Sequence, residues 1–413
     1  MNKKTLIGPF KQLLPMTGIS LKGAVADEDL TIIENAGVLL QNDAIVAVGK
    51  FNEILQQTDP EHTEIIRLEK DYVCLPGLID CHTHICFGGS RANDYAMRNA
   101  GKTYLEISKA GGGIWDTVTQ TRKQSQAELE NGIIQRANKH LQNGVTTIEV
   151  KSGYGLSIDE ELKMLRAIKN ANKNIQSDLI STCLAAHMHP KDYEGTASEY
   201  LEEIAENLFP ILKEEELTNR IDAFIEEGAF TNEIIAPYFT KAKAMGFDIT
   251  VHADQFSTGG SSVAVNFNAV SADHLEASTE LEIELLAKSD VISVALPGAS
   301  IGLGCAFTPA RKILDSGGAV SIASDHNPGS APMGDLLTQA SILGTFQKLS
   351  NAEVLSGITF RAAAALNLKD RGKIETGLLA DFIAFPTSNY KEILYQQGQM
   401  KPELVWKKGK IRE

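Results

Sequence analysis

The stretch Leu75-Pro-Gly-Leu-Ile-Asp-Cys-His-Thr-His84 decides the fold, because an apolar run ends there in two histidines. Side chains two residues apart on a β-strand project from the same face. Two imidazoles on one face at the end of a strand form half of a metal site. The stretch therefore predicts a metal site at the end of a buried strand, provided that other strands supply the remaining ligands.

The composition narrows the class of protein. The 413 residues are enough for a large core and more than one domain, and 43% hydrophobic with 22% charged residues is typical of a globular protein. No apolar run approaches the roughly 18 residues of a membrane span, and no convincing signal peptide is present, so we expect a cytoplasmic location and no membrane partner. Five scattered cysteines indicate reduced thiols. The net charge of -14 argues against a nucleic-acid partner, and it means that an anionic substrate needs a local cation.

The middle of the chain alternates short apolar strands with amphipathic helices, such as those predicted at 158–170, 198–213 and 279–288. Strands are predicted at 78–84, 145–150, 180–187, 221–226, 248–252, 270–274, 291–295 and 319–325. Eight such units predict an α/β fold, a (β/α)8 TIM-type barrel with its catalytic groups at the carboxyl ends of the strands. An open doubly wound sheet is less favoured, because no glycine-rich phosphate turn follows the first strand.

Both ends of the chain predict a small β unit. Short alternating stretches broken by turn residues occur at 37–40, 44–49, 65–68, 377–385 and 404–410. We predict a small β-sandwich domain built from residues 1–74 and 366–413, and a barrel domain of residues 75–365.

Polar residues follow the predicted barrel strands. Seven of the nine histidines lie at or just past a strand end, and Asp325 ends the eighth strand. We predict one divalent ion bound by His82, His84, His252 and Asp325. Three imidazoles and a carboxylate suit Zn²⁺ or iron, and such an ion lowers the pKa of a water molecule so that the water becomes a nucleophile.

Two residues receive catalytic roles. We place His274, at the end of the sixth strand, beside this water and the developing tetrahedral centre. Asp325 can be both ligand and proton acceptor, because a carboxylate has two oxygens. Lys151 follows the second predicted strand, where it lies too far out to bridge two ions, which favours a single ion.

Other metal-ligating residue types are better explained by packing. His189 and Cys86 lie beyond the predicted strand ends, whereas Cys81 and His326 alternate away from the metal face. We expect structural roles for all four.

The loops after the strands offer substrate contacts. Arg91, seven residues beyond His84, can present a planar fork to a carboxylate. Tyr154 places a phenol after the second strand. The turn Ser324-Asp-His-Asn-Pro-Gly-Ser330 is expected to expose amide and backbone donors close to the ion.

These loops resemble those of the amidohydrolase superfamily and, within it, the imidazolonepropionase family. The resemblance covers roughly residues 75–335, through PGLIDCHTH, FGGSRANDY, GKTYLEI, AGGGI, KSGYGLS, VHADQF, SADHLE and SDHNPGS. It implies metal-dependent hydrolytic opening of 4-imidazolone-5-propanoate to N-formimidoyl-L-glutamate, a step of histidine degradation with a small anionic substrate. A homodimer is common in this superfamily.

The resemblance also implies substrate contacts at eight positions: Arg91, Tyr104, Tyr154, His187, Gln255, Asn327, Gly329 and Ser330. Gln255 departs from the pattern, since many relatives have glutamate there. Glutamine cannot accept a proton as a base, so we assign Gln255 to hydrogen bonding and leave proton transfer to Asp325 and His274.

Two alternatives remain at this point. A deaminase acting on a cyclic amidine, of purine or pyrimidine type, would use similar metal chemistry but has less need of a carboxylate contact at Arg91. A non-catalytic scaffold would keep the barrel and lose the chemistry, but the loss of chemistry normally removes ligands, and none of the predicted ligands is missing.

Overall fold

A computed structural model describes residues 3–412, apart from the side chains of Tyr104, Leu105 and Ser108. Its strands form two sheets of eight strands each. The strands, in chain order, are β1 (Lys4–Leu13), β2 (Ile33–Gln41), β3 (Ala44–Lys50), β4 (Thr63–Arg67), β5 (Val73–Pro76), β6 (Leu78–Asp80), β7 (Val145–Lys151), β8 (Asp178–Ala186), β9 (Arg220–Ile225), β10 (Asp248–Ala253), β11 (Ser271–His274), β12 (Ile292–Ala295), β13 (Ala319–Ile322), β14 (Phe382–Phe385), β15 (Leu404–Lys407) and β16 (Lys410–Ile411).

The helices begin where the sequence caps them. Ser125 and Thr196 each accept a hydrogen bond from the amide of a glutamate three residues later, and that glutamate bonds back to them. The helices are α1 (Phe51–Gln57), α2 (Ala92–Asn99), α3 (Tyr104–Lys109), α4 (Ile114–Lys123), α5 (Gln126–Gln142), α6 (Ile158–Asn172), α7 (Ala197–Glu214), α8 (Asn232–Ala244), α9 (Gly260–Asn266), α10 (Glu280–Lys288), α11 (Pro297–Leu303), α12 (Ala310–Asp315), α13 (Leu336–Gln347), α14 (Asn351–Gly357), α15 (Phe360–Ala365) and α16 (Lys391–Tyr395). Over residues 3–412, none of them has the length and apolar content to cross a membrane.

Strands β6 to β13 form a parallel barrel in which each strand pairs with the next along the chain. A bridge between Thr83 and His326 joins the segments that follow the first and the last of these strands. The amide of Asp325 donates to the carbonyl of His82, and the amide of His84 donates to the carbonyl of His326, both at 3.0 Å. The predicted TIM-type barrel is confirmed.

The first and eighth barrel strands end four and three residues earlier than predicted. The first ends at Asp80 and the eighth at Ile322, so the predicted ends at 84 and 325 were wrong. The physical reason at the eighth strand is the left-handed backbone of Asp325, at φ 52°, which leaves the extended conformation. Lys151, predicted to follow the second strand, is instead the last residue of β7.

The second sheet combines both termini, in the order β16-β15-β14-β5-β1-β2-β3, with β4 also pairing with β1. Its core contains Phe10 from β1 and Phe382 and Trp406 from the carboxyl-terminal strands, and the last two rings are stacked 4.7 Å apart. The predicted β unit from both termini corresponds to this sheet. The sequence patterns missed β1, because Gly8 and Pro9 interrupt the alternation and the pairing register shifts between Ile7 and Phe10. The division at 74/75 and 365/366 stays a prediction.

Ion pairs join the carboxyl-terminal segment to the barrel. Asp178, at the start of β8, accepts from Arg371 at 2.6 Å, Lys407 at 2.9 Å and Lys408 at 2.7 Å. Lys407 is buried and also contacts Asp381 at 2.5 Å. We call this group the Asp178 cluster; its five members are Asp178, Arg371, Asp381, Lys407 and Lys408.

We predict that Lys407→Met destabilises the protein by about 3 kcal/mol, because it leaves the buried Asp381 carboxylate without its cation. Differential scanning calorimetry should show a lower melting temperature. The matched control is Lys288→Met, which removes a lysine paired with Glu284 on an exposed helix face and should cost less than about 0.5 kcal/mol. Equal melting temperatures for the two variants would contradict the structural role of the cluster.

Candidate metal centre

Four side chains from three barrel strands converge at the carboxyl end of the barrel. His82 and His84 follow β6, His252 lies on β10 and Asp325 follows β13, and each is at most 3% exposed. The Nε2 atom of His84 lies 3.3 Å from the Nε2 atoms of both His82 and His252. The Oδ1 atom of Asp325 lies 3.5 Å from the Nε2 atoms of His82 and His84. The structure thus brings together all four residues predicted as ligands.

The spacing of these atoms fits one small ion. Two ligands that each lie about 2.05 Å from a tetrahedral ion are about 3.3 Å apart. The three histidines offer nitrogen atoms that all lie within 4.8 Å of one another. The lone pairs of such close nitrogen atoms repel one another unless a proton or a cation lies between them. The donor set therefore fits a divalent ion.

Carboxylates behind the rings orient two of the histidines. Nδ1 of His82 donates to Asp273 Oδ2 at 2.6 Å, and Nδ1 of His252 lies 3.0 Å from Asp222 Oδ2. A hydrogen atom on Nδ1 leaves Nε2 bare, which is the form that binds a metal ion. Burial lowers the pKa of His252 to about 3 despite the charge of Asp222, so the ring is neutral at pH 7.

Asp325 is fixed at both carboxylate oxygens. Oδ1 faces the histidines, while Oδ2 accepts from Asn327 Nδ2 at 2.9 Å and from Ser330 Oγ at 3.3 Å. Burial raises the pKa of Asp325 to about 6, although the nearby His274 opposes the shift. A carboxyl group with this pKa can exchange a proton near neutral pH.

The turn after Asp325 differs from the expectation. We predicted exposed backbone donors, but the amides of Gly329 and Ser330 both donate to Asn327 Oδ1, at 2.7 and 2.8 Å. Asparagine side chains often bond to the backbone two residues on, and this local bond takes up the donors. Asn327 and Ser330 therefore position Asp325, and a direct substrate contact by either stays a prediction.

His274 lies beside the convergent group. Its ring centroid is 5.3 Å from that of His252 and 5.8 Å from that of His82. Nδ1 faces Glu276 Oε2 at 3.4 Å. Burial disfavours the charged ring, but the carboxylates of Glu276, Asp325 and Asp273 together raise the pKa of His274 above its ordinary value. The residue also has a left-handed backbone, with φ 87°, and such outliers cluster at functional sites.

His187 and Tyr154 complete one wall. Nδ1 of His187 donates to the Gly153 carbonyl at 2.9 Å, and its ring is stacked on His84 with centroids 5.6 Å apart. The Tyr154 ring lies 5.8 Å from His84 and 5.4 Å from His187. Both residues thus border the convergent group, and their substrate contacts stay a prediction.

Arg91 reaches across to the turn after Asp325. Its Nε donates to Asp94 Oδ2 at 2.7 Å, and the same oxygen accepts from the Gly113 amide at 2.9 Å. A Cβ atom on Gly329 would lie 2.6 Å from Arg91 Nη1, so a side chain at this position would displace the guanidinium group. Asp94 orients one edge of the guanidinium and leaves the Nη edge directed at the turn.

Two further predicted contacts are less defined. Gln255 is half-buried on the loop after β10, next to Phe256, whose amide donates to Glu226 Oε2 at 2.8 Å. Tyr104 lies on α3, but its side chain lies outside the described residues. The roles of both residues stay predictions.

The residues assigned to packing lie apart from the four convergent groups. His189 Nε2 donates to the Gly195 carbonyl at 3.1 Å. Cys86 is buried, and Cys81 Sγ lies 3.3 Å from Ser321 Oγ. His326 shares a hydrogen bond of 2.9 Å with His140.

Charged residues below the histidines were missed by the sequence patterns. Asp222, Asp273 and Glu149 are buried on barrel strands, and Lys151 Nζ contacts all three. Burial disfavours the ammonium, but Asp222 and Glu149 raise the pKa of Lys151 above its ordinary value. A signal was present, because charged residues interrupt strands that are otherwise apolar. Their partners lie on other strands, so the sequence could not pair them.

Comparison with known proteins identifies the family. Residues 73–412 match the amidohydrolase family. The chain belongs to the amidohydrolase family. It is 38% identical over 380 residues to an imidazolonepropionase of Acinetobacter baumannii (strain AB307-0294), which covers 91% of this chain and 94% of the relative. It is 39% identical over 417 residues to an imidazolonepropionase of Bacillus mycoides (strain KBAB4), covering 98% and 96% of the two chains.

The amidohydrolase fold is also seen in solved structures. An adenosine deaminase from Xanthomonas campestris with bound zinc superposes with a TM-score of 0.73 at 18% identity, over 99% of this chain and 92% of that chain. This likeness shows the fold alone. The predicted family and barrel are confirmed, and the family and the histidine cluster together support a divalent metal site.

We predict that the purified protein contains one divalent ion per chain and that His252→Ala abolishes binding, because the variant removes one of three convergent nitrogen atoms. Atomic absorption on the dialysed proteins gives the stoichiometry. His189→Ala is the matched control, because the described hydrogen bond of this half-buried ring goes to the Gly195 carbonyl and not to the proposed ligands. This variant should keep the ion. Full metal content in His252→Ala would refute the ligand set.

Proposed function

We propose that this amidohydrolase is an imidazolonepropionase, which opens 4-imidazolone-5-propanoate with water to give N-formimidoyl-L-glutamate. The main support is the convergence of three histidine Nε2 atoms and one carboxylate oxygen in a chain whose relatives at 38–39% identity carry that name. The reaction breaks the ring bond between the carbonyl carbon and nitrogen. The water oxygen stays on the carbon as a carboxylate, and the nitrogen leaves with a proton.

We propose His82, His84, His252 and Asp325 as the residues that bind the ion, with zinc or iron as candidates. When bound, such an ion supplies Lewis-acid chemistry, which acidifies a water molecule and polarises a carbonyl group. The second oxygen of Asp325 accepts the proton of the attacking water, while Asn327 and Ser330 fix its orientation.

In this proposal His274 lies beside the attacking water and the developing tetrahedral centre. The Glu276 carboxylate faces its Nδ1, so a charged imidazole is available to stabilise the negative oxygen that develops during attack. His187 and Tyr154 border the ring of the substrate, and Gln255 offers an amide that bonds without exchanging protons. A cytoplasmic location and a homodimer stay proposals.

Arg91 is proposed to bind the propionate. The net charge of -14 makes a specific cation necessary for an anionic substrate, and the Nη edge of Arg91 faces the turn beside Asp325. Anchoring the tail there while the ring lies at the histidines presents the carbonyl carbon in a fixed orientation.

The direct test follows loss of the ultraviolet absorbance of 4-imidazolone-5-propanoate. Turnover should disappear after removal of the metal ion by chelation and return on addition of zinc or iron, because the uncatalysed ring carbonyl resists water. A protein that binds metal without turnover on this compound would refute the substrate, and a cyclic amidine would be assayed next. Absence of both metal and turnover would favour a non-catalytic scaffold.

We predict that Arg91→Met raises KM by roughly 30- to 150-fold, since loss of a charge-assisted bond costs about 2–3 kcal/mol. Steady-state kinetics on the same substrate measures it. Lys102→Met, which removes an exposed cation from the segment between α2 and α3, is the control and should leave KM unchanged. A KM for Arg91→Met equal to that of the parent would show that another group binds the propionate.

A further inference from the structure

Lys151 lies at the centre of a buried group of charges directly below the histidines. Its Nζ atom is 2.7 Å from Glu149 Oε1, 2.9 Å from Asp222 Oδ2 and 3.8 Å from Asp273 Oδ2. All four side chains are at most 1% exposed. One ammonium group thus contacts carboxylates from three different barrel strands.

Two of these carboxylates are the ones that orient the histidines. The Asp222 oxygen that contacts Lys151 also lies 3.0 Å from His252 Nδ1. The Asp273 oxygen closest to Lys151 accepts from His82 Nδ1, at 2.6 Å. A shift of the Lys151 ammonium group would therefore move the two carboxylate oxygens that lie next to Nδ1 of His82 and Nδ1 of His252.

The third carboxylate, that of Glu149, bonds to the backbone of Thr83, the residue between His82 and His84. Glu149 Oε2 accepts from the Thr83 amide at 3.1 Å. The Thr83 hydroxyl donates to the Glu149 carbonyl at 2.6 Å, and the Lys151 amide donates to the Thr83 carbonyl at 2.9 Å. Lys151 and Glu149 thereby fix the residue that separates His82 from His84.

A purely stabilising role is the simplest alternative. Buried carboxylates without a cation are strongly destabilising, so any lysine in this position would contribute to folding. Stability alone, however, does not require the contacted oxygens to be those that lie within 3.0 Å of the imidazole Nδ1 atoms. In the Asp178 cluster, by contrast, the buried Lys407 contacts carboxylates that have no described contact with a histidine.

We propose that Lys151 is a positioning residue for the metal centre: through Asp222, Asp273 and Glu149 it sets the orientation of His82, His84 and His252, and thereby the affinity for the ion. The inference rests on the metal site of the proposed function but not on its substrate. Groups that orient metal-binding histidines typically change metal affinity by about 10- to 100-fold when they are replaced.

The test measures Zn²⁺ binding to chelator-treated full-length protein by competition with a chromogenic chelator, together with the melting temperature of the zinc-free protein. The variants are Lys151→Met, Asp273→Asn and the double variant. We expect each single variant to bind Zn²⁺ about 10- to 100-fold more weakly. The double variant should lose less than the product of the two single effects, because both changes act on one contact.

Lys407→Met is the matched control, because it also replaces a buried, paired lysine by methionine. It should lower the melting temperature and leave the zinc affinity at the parent value. If Lys151→Met behaves in the same way, with zinc affinity within about threefold of the parent, the lysine only stabilises the fold and the proposal is overturned. If the loss of zinc affinity in the double variant equals the product of the two single losses, Lys151 does not act through Asp273.

Lys151→Arg keeps the proposal testable if Lys151→Met does not fold. Arginine retains the charge, but its planar fork cannot occupy the place of the ammonium group among three carboxylates. Weaker zinc binding in a folded Lys151→Arg supports the proposal, whereas parent affinity overturns it. A parent protein that binds no zinc would overturn the proposed metal site itself and this inference with it.

Discussion

Two backbone hydrogen bonds close the barrel at the level of the metal centre, and the geometry of the site depends on them. Asp325 donates to the carbonyl of His82, and His84 donates to the carbonyl of His326. Each bond includes a proposed ligand, so the pairing that closes the barrel also brings together residues more than 240 positions apart in the chain. An open sheet would leave its first and last strands on opposite edges and could not form this site.

The barrel interior below the histidines carries charge where most barrels are packed with branched apolar side chains. Glu149, Asp222 and Asp273 are buried there with Lys151 as their shared cation. An apolar replacement is often as stable as a buried ion pair. The charged arrangement is better explained by the imidazoles above it, since apolar side chains cannot accept from Nδ1. Orientation of the candidate ligands is thus the benefit that we propose for an otherwise costly interior.

Sequence patterns predicted much of the fold because they report local periodicity. The alternation of strands and helices predicted the barrel, and His82-x-His84 predicted two neighbouring side chains that could bind a metal ion. The same reasoning missed β1, where Gly8 and Pro9 break the alternation, and it extended the first and eighth barrel strands too far. It also predicted exposed backbone donors in the turn after Asp325, although the amides of Gly329 and Ser330 donate to Asn327 Oδ1.

By itself, the sequence determined the fold class, the family and the candidate ligands, since these follow from side-chain spacing along one strand and from motifs within short segments. Only the tertiary structure decided which carboxylate stands behind which imidazole. Asp273 and His82 are 191 positions apart, and His252 and Asp222 are 30 apart on neighbouring strands. Such pairs depend on strand register and barrel closure, which are set by the packing of the whole chain and leave no local periodicity to detect.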